Sequence, residues 1–214
     1  EIALDSLPKM VFMQAAGPCP SHCLFCSRDA NYEFFNLEDY RRKFEDKLIK
    51  NIFPGIEELV LTGSGEFLLL PKGERILDYF DSALPSVNKM FFTNGSALSQ
   101  EVSRKIAYSK SRYTIHISLH ASNSNLHKTL TRNDHFHKIL GQLKYLLSLK
   151  KDTGNPTVNL TFVATTLNIE DLPNFVRLAS SLGADKVICY YNYIYTLAQK
   201  QLSCFFKQGL TNRI

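Results

Sequence analysis

The sequence predicts an α/β protein built from parallel strands. Two observations predict this class: strand-like and helix-like segments alternate along the 214 residues, and very little chain lies between them. Strands that alternate with helices are joined by right-handed crossovers and run parallel. The alternation fits either a curved partial barrel or a doubly wound sheet within one domain. In both architectures ligands bind at the carboxyl ends of the strands.

The predicted strands are short apolar runs bounded by turn residues, as buried strands are. The first lies between Pro8 and Gly17, and the third ends at Asn94 and Gly95. In chain order the strands are residues 9–15, 58–62, 89–93, 112–119, 158–165 and 186–190.

The predicted helices carry apolar residues three and four positions apart, which places those residues on one face. The first follows Asn36, a suitable N-cap, and ends at Pro54, whereas the last ends at Gly183. In chain order the helices are residues 37–53, 74–84, 99–109, 134–150 and 170–182. Residues 120–133 form a polar stretch to which we assign no helix.

The composition excludes several classes of protein. With 44% hydrophobic and 21% charged residues the chain is globular rather than disordered. No apolar run approaches the roughly 20 residues that span a bilayer, and no secretory signal opens the chain. We therefore expect a cytoplasmic protein without a membrane partner. The net charge of +5 suits an anionic partner but does not require nucleic acid.

Three of the five cysteines, Cys19, Cys23 and Cys26, lie within eight residues directly after the first strand. An odd number of crowded cysteines is a poor disulfide framework. Three thiolates in one loop bind three irons of a 4Fe–4S cube and leave the fourth iron open to a ligand. The alternatives are a zinc site completed by His22 or by a distant cysteine, and chance crowding of the cysteines.

The other two cysteines, Cys189 and Cys204, lie far downstream, and we expect both to be core residues. Polar residues and glycines follow three further strands. Each of these segments, taken alone, is also typical of an ordinary turn. They are Gly63, Ser64, Gly65 and Glu66 after the second strand, Thr93 and Asn94 after the third, and Ser118 at the end of the fourth. Since functional motifs belong at the carboxyl ends of parallel strands, we expect these residues to share one site with the cysteines.

The C-x3-C-x2-C spacing, with Phe25 directly before the last cysteine, resembles the radical S-adenosylmethionine (SAM) superfamily. The order of the later motifs strengthens this resemblance. It implies a partial (βα)6 TIM-like barrel core over residues 1–214, with an incomplete last helix near residue 212. It also implies that Cys19, Cys23 and Cys26 hold a 4Fe–4S cluster whose open iron chelates the amino and carboxylate groups of SAM.

The resemblance further implies a set of residues that bind SAM. The segment ending at Glu66 resembles the family's Gly-Gly-Glu-Pro motif for the amino group, although Ser64 and Phe67 depart from it. Ser118 would contact the ribose, and Arg132 would pair with the carboxylate. The residues implied to bind SAM are Phe25, Gly63, Ser64, Gly65, Glu66, Thr93, Asn94, Ser118 and Arg132. The nearby histidines, His116 and His120 among them, are interpreted as substrate-pocket or surface residues.

The resemblance implies an enzyme in which an external one-electron donor, such as flavodoxin or ferredoxin, reduces the cluster. The reduced cluster cleaves SAM to methionine and a 5′-deoxyadenosyl radical, which abstracts a hydrogen atom from the substrate. The sequence looks similar to the SPASM or twitch type, several of which modify peptides or proteins. We therefore expect a peptide, protein or small-molecule substrate, and a catalytic core truncated at its C-terminus.

Alternative functions remain at this stage. A radical SAM methyltransferase acting on RNA or a small molecule would need another cysteine, and Cys189 or Cys204 would have to serve. Nucleic acid is a partner only under that alternative. From another class, the chain could be a non-catalytic iron–sulfur protein or a zinc-binding protein.

Overall fold

Six parallel strands form one sheet in the order β1-β2-β3-β4-β5-β6 in a computed structural model that describes residues 8–28, 55–70 and 73–204. The strands are β1 (Met10–Ala16), β2 (Glu58–Ser64), β3 (Asn88–Thr93), β4 (Tyr113–Ser118), β5 (Thr157–Ala164) and β6 (Lys186–Tyr191). The strand order follows the chain without the reversal that marks a doubly wound sheet. The predicted α/β class is confirmed, and the architecture is that of a partial barrel.

The helices of the described residues lie between these strands and after β6. They are α1 (Gly73–Ala83), α2 (Gln100–Ala107), α3 (Ser124–Thr131), α4 (Phe136–Thr153), α5 (Leu172–Leu182) and α6 (Leu197–Leu202), with 3-10 helices at Phe67–Leu69 and Ile169–Asp171. The predicted helix over residues 37–53 and the predicted incomplete helix near residue 212 lie outside the described residues.

Two helices, α3 and α6, were not predicted from the sequence. The α3 helix lies inside the polar stretch of residues 120–133 and begins after Asn123, whose side chain accepts a hydrogen bond from the Leu126 N–H at 3.0 Å. It buries only His127, Leu130 and Thr131, and two of these are polar. A cap therefore starts this helix where the apolar pattern is too weak to reveal it.

The two faces of each strand have different environments. On β4, Ile115 and Ile117 belong to the apolar core beneath the helices. Because side chains alternate along a strand, His116 and Ser118 lie on the opposite, inner face of the partial barrel. The inner face is therefore the face that carries polar groups toward a ligand.

A buried lysine stabilises the amino-terminal end of β3. The Lys89 side chain has no exposed surface and donates hydrogen bonds to the Leu84 carbonyl at 2.7 Å and to Ser111 Oγ at 2.6 Å. Its ammonium lies 3.3 Å from an Asp81 carboxylate oxygen. Burial lowers the pKa of Lys89, and Asp81 opposes that shift. This end of the barrel is thus tied together by a paired, hydrogen-bonded charge.

The structure corrects one expectation about the downstream cysteines. Cys204 is buried in the core, as predicted, but Cys189 is exposed. Cys189 lies on β6, which is an edge strand of the described sheet, so an apolar sequence there does not ensure burial. None of the described helices combines the length and the apolar content that a membrane-spanning helix requires.

Candidate functional site

A cavity of about 250 Å³ lies where the carboxyl ends of β2, β3 and β4 meet the loop that follows β1. We call it the strand-end cavity. The predicted site residues that line it are Cys19, Cys23, Phe25, Cys26, Gly63, Ser64, Gly65, Glu66, Thr93, Asn94 and Ser118. Four separate segments of the sequence therefore converge on one space, and Arg132 is the predicted residue that does not line it.

The cysteine loop is held in place from two sides. The backbone N–H groups of His22 and Leu24 donate hydrogen bonds of 2.9 Å to the last carbonyls of α3. From α6, the buried Gln199 donates a hydrogen bond from Nε2 to the Cys26 carbonyl at 3.0 Å. The helices α3 and α6 thus position the loop, although neither was predicted.

Arg28 lines the cavity, although the sequence motifs did not predict it as a site residue. Its guanidinium donates hydrogen bonds to the carbonyls of Cys19 and Ser21 at 3.5 and 3.4 Å, and its backbone N–H donates to Cys26 Sγ at 3.4 Å. The only sequence signal was its position two residues after the last cysteine. Arg28 brings a positive charge to the cavity wall beside the three thiols.

The chemistry of the three thiols fits an iron–sulfur cluster. Burial, together with the charges of Cys26 and Cys19, raises the pKa of Cys23 to about 12, so the three sulfurs repel one another when ionised. Within the described residues, no three His, Cys, Asp or Glu side chains are placed to hold one metal ion. Three thiolates are a donor set that iron–sulfur clusters take, so the residues present fit a cluster with one iron left without a protein ligand.

Glu66 supplies a buried carboxylate to the wall of the cavity. It accepts hydrogen bonds from Thr93 Oγ1 at 2.7 Å, the Asn94 N–H at 2.7 Å and the Leu68 N–H at 3.4 Å. Burial raises the pKa of Glu66 to about 7 despite these donors. No cation of the described residues forms an ion pair with it. A carboxylate in this state suits a cationic ligand.

The glycine of this segment is required by close packing against the start of the cysteine loop. Gly65 has a φ of +128°, and a Cβ added there would lie 2.0 Å from the Gly17 carbonyl oxygen. Next to it the Glu66 N–H donates to the Pro18 carbonyl at 2.9 Å. Only glycine allows the two loops to approach this closely, which brings Glu66 near the cysteines.

Phe67, where the family motif has proline, acts as an anchor for the same segment. Its side chain is buried and contacts the ring of Phe91 with a centroid distance of 5.6 Å. It begins the short 3-10 helix that Glu66 caps. The departure from proline is thus compensated by packing into the core.

Ser118 and His120 form the wall contributed by β4. The Ser118 hydroxyl lies 3.3 Å from Thr161 Oγ1. His120 has a φ of 61°, and its Nδ1 accepts a hydrogen bond from the Val163 N–H at 3.1 Å. Burial lowers the pKa of His120 to about 3, so the ring is neutral. Its edge contact with Phe25, at a centroid distance of 4.8 Å, positions the aromatic residue that precedes Cys26.

Arg132 lies away from the strand-end cavity. It is the left-handed C-cap of α3, with a φ of 55°, and its backbone N–H donates to the Lys128 carbonyl. The residue is exposed. The left-handed turn reverses the chain toward α4 and leaves this side chain on the surface, so its pairing with a carboxylate stays a prediction.

A second cavity of about 430 Å³ adjoins the first along the inner face of the barrel. We call it the inner cavity. It shares Phe25, Phe92, Ser118 and His120 with the strand-end cavity and is also lined by Tyr190, Tyr191 and Tyr193. The three tyrosines are exposed, with Tyr193 at 72% exposure. An aromatic, largely apolar space thus lies beside the thiols and Glu66.

Comparison with known proteins agrees with this geometry. The sequence profile of the Radical SAM superfamily matches residues 16–179. No curated protein sequence matches the chain. Among solved structures, Streptococcus suis SuiB bound to S-adenosylmethionine is similar with a TM-score of 0.71 at 18% identity, over 91% of this chain and 43% of that chain.

Two further solved structures are similar in the same way. Streptococcus suis SuiB bound to the precursor peptide SuiA gives a TM-score of 0.70 at 17% identity, over 88% of this chain and 40% of that chain. Native anSMEcpe with bound AdoMet and Kp18Cys peptide gives a TM-score of 0.63 at 13% identity, over 86% of this chain and 51% of that chain. The chain therefore spans about half or less of the length of these proteins, and at these identities the likeness shows the fold.

Proposed function

Because the chain belongs to the radical SAM superfamily, we propose that it forms the core of an enzyme in which Cys19, Cys23 and Cys26 hold a 4Fe–4S cluster. When bound, the cluster and SAM supply reductive cleavage of SAM to methionine and a 5′-deoxyadenosyl radical that abstracts a hydrogen atom from the substrate. The single observation that carries the proposal is that three thiols, Glu66 and Ser118 line one cavity.

The cavity residues divide between the polar groups of SAM. The buried Glu66 carboxylate binds the ammonium group, because an ion pair offsets the cost of burying a charge that has no partner among the described residues. Ser118 offers its hydroxyl to the ribose. Arg28, which lies on the cavity wall, is placed to meet the SAM carboxylate, whereas Arg132 would have to turn inward from the surface.

The exposed side of the cysteine loop is the place where an external donor reaches the cluster. Cys26 is exposed, whereas Cys19 and Cys23 are partly covered. We therefore propose that the donor approaches the cluster from the side of Cys26. A flavodoxin or ferredoxin is the expected donor, and the chain's net charge of +5 would suit a donor with an acidic surface.

A peptide or protein is the substrate class that the comparisons favour. Two of the similar structures, SuiB and anSMEcpe, contain a bound peptide. In this chain the inner cavity adjoins the proposed SAM site and is lined by the exposed Tyr190, Tyr191 and Tyr193. We expect a side chain of an extended peptide to enter this cavity while its backbone remains outside, and tyrosine rings are well suited to such contacts.

Iron and SAM binding test the proposal. The chain is reconstituted anaerobically with iron and sulfide, and iron is counted together with the dissociation constant for SAM. We expect about four irons per chain, a SAM complex, and loss of both in Cys23→Ser. The matched control is Cys189→Ser, since Cys189 is exposed and lies outside the cavity. Binding of one zinc in place of iron, or iron retention in Cys23→Ser, would contradict the proposal.

A further inference from the structure

One layer of the barrel interior carries polar groups that the reaction at the strand-end cavity does not use. His116 lies on the inner face of β4, two residues before Ser118, and is only 5% exposed. Neither ring nitrogen has a hydrogen-bond partner among the described residues. The ring stacks on Phe92, which lines both cavities, with a centroid distance of 4.5 Å and an angle of 24° between the planes.

The strand register brings two more polar residues into this layer. His116 is paired with Asn159 of β5, and Asn159 is paired with Lys186 of β6. Asn159 is 4% exposed, and its Oδ1 has no partner among the described residues. Lys186 is exposed, and the register places it on the same face of the sheet as Asn159 and His116. Burial lowers the pKa of His116, and the charge of Lys186 adds to that shift. We call these three residues the inner polar layer.

The unpartnered atoms of the inner polar layer are unfavourable for folding. A buried polar atom without a hydrogen bond destabilises a fold, because it loses its hydrogen bonds to water without replacement. The interiors of such barrels are normally filled by branched apolar side chains, so the fold does not require polar residues here. Three unpartnered atoms on His116 and Asn159 indicate a place where a ligand or water completes the hydrogen bonds.

The charge of the layer selects the chemistry of the ligand. Lys186 forms no ion pair with any carboxylate of the described residues. The register partners one step above, Ser118 and Thr161, are neutral. No hydrogen bond within the described ranges holds the Asn159 amide in one orientation, so its Nδ2 is able to turn toward an acceptor. An ammonium, an imidazole N–H and an amide N–H together suit a carboxylate.

We propose that the inner polar layer of His116, Asn159 and Lys186 is a subsite for a carboxylate group of the substrate, one step along the strands from Ser118 and Thr161. The assignment of that carboxylate to the substrate rests on the proposed function. Two sources of carboxylate are compatible with a peptide: an acidic side chain and a C-terminus. In both cases the anion would lie at the level of His116, which precedes Ser118 by two residues on β4. Binding there would orient the part of the substrate that lies nearer to SAM.

Three small probes distinguish these possibilities in the full chain. N-acetylglutamic acid α-amide carries only a side-chain carboxylate, N-acetylglutamine carries only a terminal one, and N-acetylglutamine amide is neutral. Binding is followed through the ring signals of the six histidines in ¹³C-labelled protein. The signal of His116 is identified as the one missing from the spectrum of His116→Gln. We expect one of the two carboxylate probes to shift this signal saturably, with a dissociation constant of about 1 mM. The neutral amide should leave the signal unchanged.

The lysine variants decide the role of the charge. Lys186→Met should raise the dissociation constant of the carboxylate probe by about tenfold or more, because one charged hydrogen-bonding partner is lost. Lys186 is exposed, so its replacement does not disturb the core. Lys151→Met, an exposed lysine on α4, is the matched control and should bind the probe as the wild type does.

The outcomes separate the subsite from the reaction. No shift with either carboxylate, equal shifts with the neutral amide, or unchanged binding in Lys186→Met overturns the subsite. A protein that holds iron and SAM but binds no carboxylate loses the subsite and keeps the proposed function. A protein that binds the carboxylate through Lys186 but holds no iron keeps the subsite and loses the radical reaction.

Discussion

Replacing Glu66 by glutamine should stabilise the fold and weaken SAM binding, and both effects have the same cause. The carboxylate is fully buried, and burial raises its pKa from 4.5 to about 7. Glutamine has nearly the same shape but carries no charge. Its Oε1 can accept from the Asn94 N–H while its Nε2 donates to the Thr93 hydroxyl, so most of the local hydrogen bonding is kept.

The size and sign of the stability change follow from the pKa. The folded pKa of Glu66 lies above the unfolded value, so between pH 4.5 and about 7 the native chain binds more protons than the unfolded chain. The free energy of unfolding contributed by this group therefore falls as pH rises through that window. At about 1.4 kcal/mol per pH unit, the loss amounts to about 3 kcal/mol. Glu66→Gln lacks this loss.

Chemical denaturation from pH 4 to 8 measures the difference in unfolding free energy between Glu66→Gln and the wild type. The contributions of other titrating groups cancel in this difference. The variant should match the wild type near pH 4 and exceed it by about 3 kcal/mol at pH 8. Its affinity for SAM should fall at least about tenfold. A difference that does not change with pH would refute the raised pKa, and unchanged SAM affinity would refute the role of Glu66 toward the ammonium.

Three further predictions address the surroundings of the site. Gly65→Ala should cost about 2–3 kcal/mol and loosen iron binding, because its Cβ would meet a backbone oxygen at 2.0 Å, whereas Gly141→Ala, with open space around it, should not destabilise α4. Arg28→Gln should raise the dissociation constant for SAM more than Arg132→Gln does, as titration will show. Lys89→Met should lower the free energy of unfolding by about 3 kcal/mol, since it leaves buried acceptors unpaired.

Each of these predictions has a distinct contrary result. Equal unfolding free energies for Gly65→Ala and Gly141→Ala would mean that the two loops need not touch. A larger effect at Arg132 than at Arg28 would show that Arg132 turns into the cavity. A fully stable Lys89→Met would show that apolar packing replaces the paired charge without loss.

The cysteine loop and the order of the strands were predictable because their signals are local. The spacing of Cys19, Cys23 and Cys26 and the apolar runs of the strands depend on residues a few positions apart. Parallel strands then bring their carboxyl ends together, so Glu66 and Ser118 could be predicted to join the cysteines in one site.

Other parts of the site were not predictable because they depend on contacts between distant segments. The α3 helix is started by an Asn123 cap and held against the cysteine loop, and neither effect leaves an apolar pattern. Arg132 was expected in the site, but a left-handed cap places it on the surface. The inner polar layer becomes visible only when the register pairs His116 with Asn159.

Formation of 5′-deoxyadenosine tests the central claim most directly. The anaerobically reconstituted chain is mixed with dithionite and SAM, and the products are separated by chromatography. We predict that 5′-deoxyadenosine and methionine form, and that neither forms with Cys23→Ser or without reductant. Absence of 5′-deoxyadenosine from a preparation that holds its iron and binds SAM, or equal amounts with Cys23→Ser, would contradict a radical SAM enzyme.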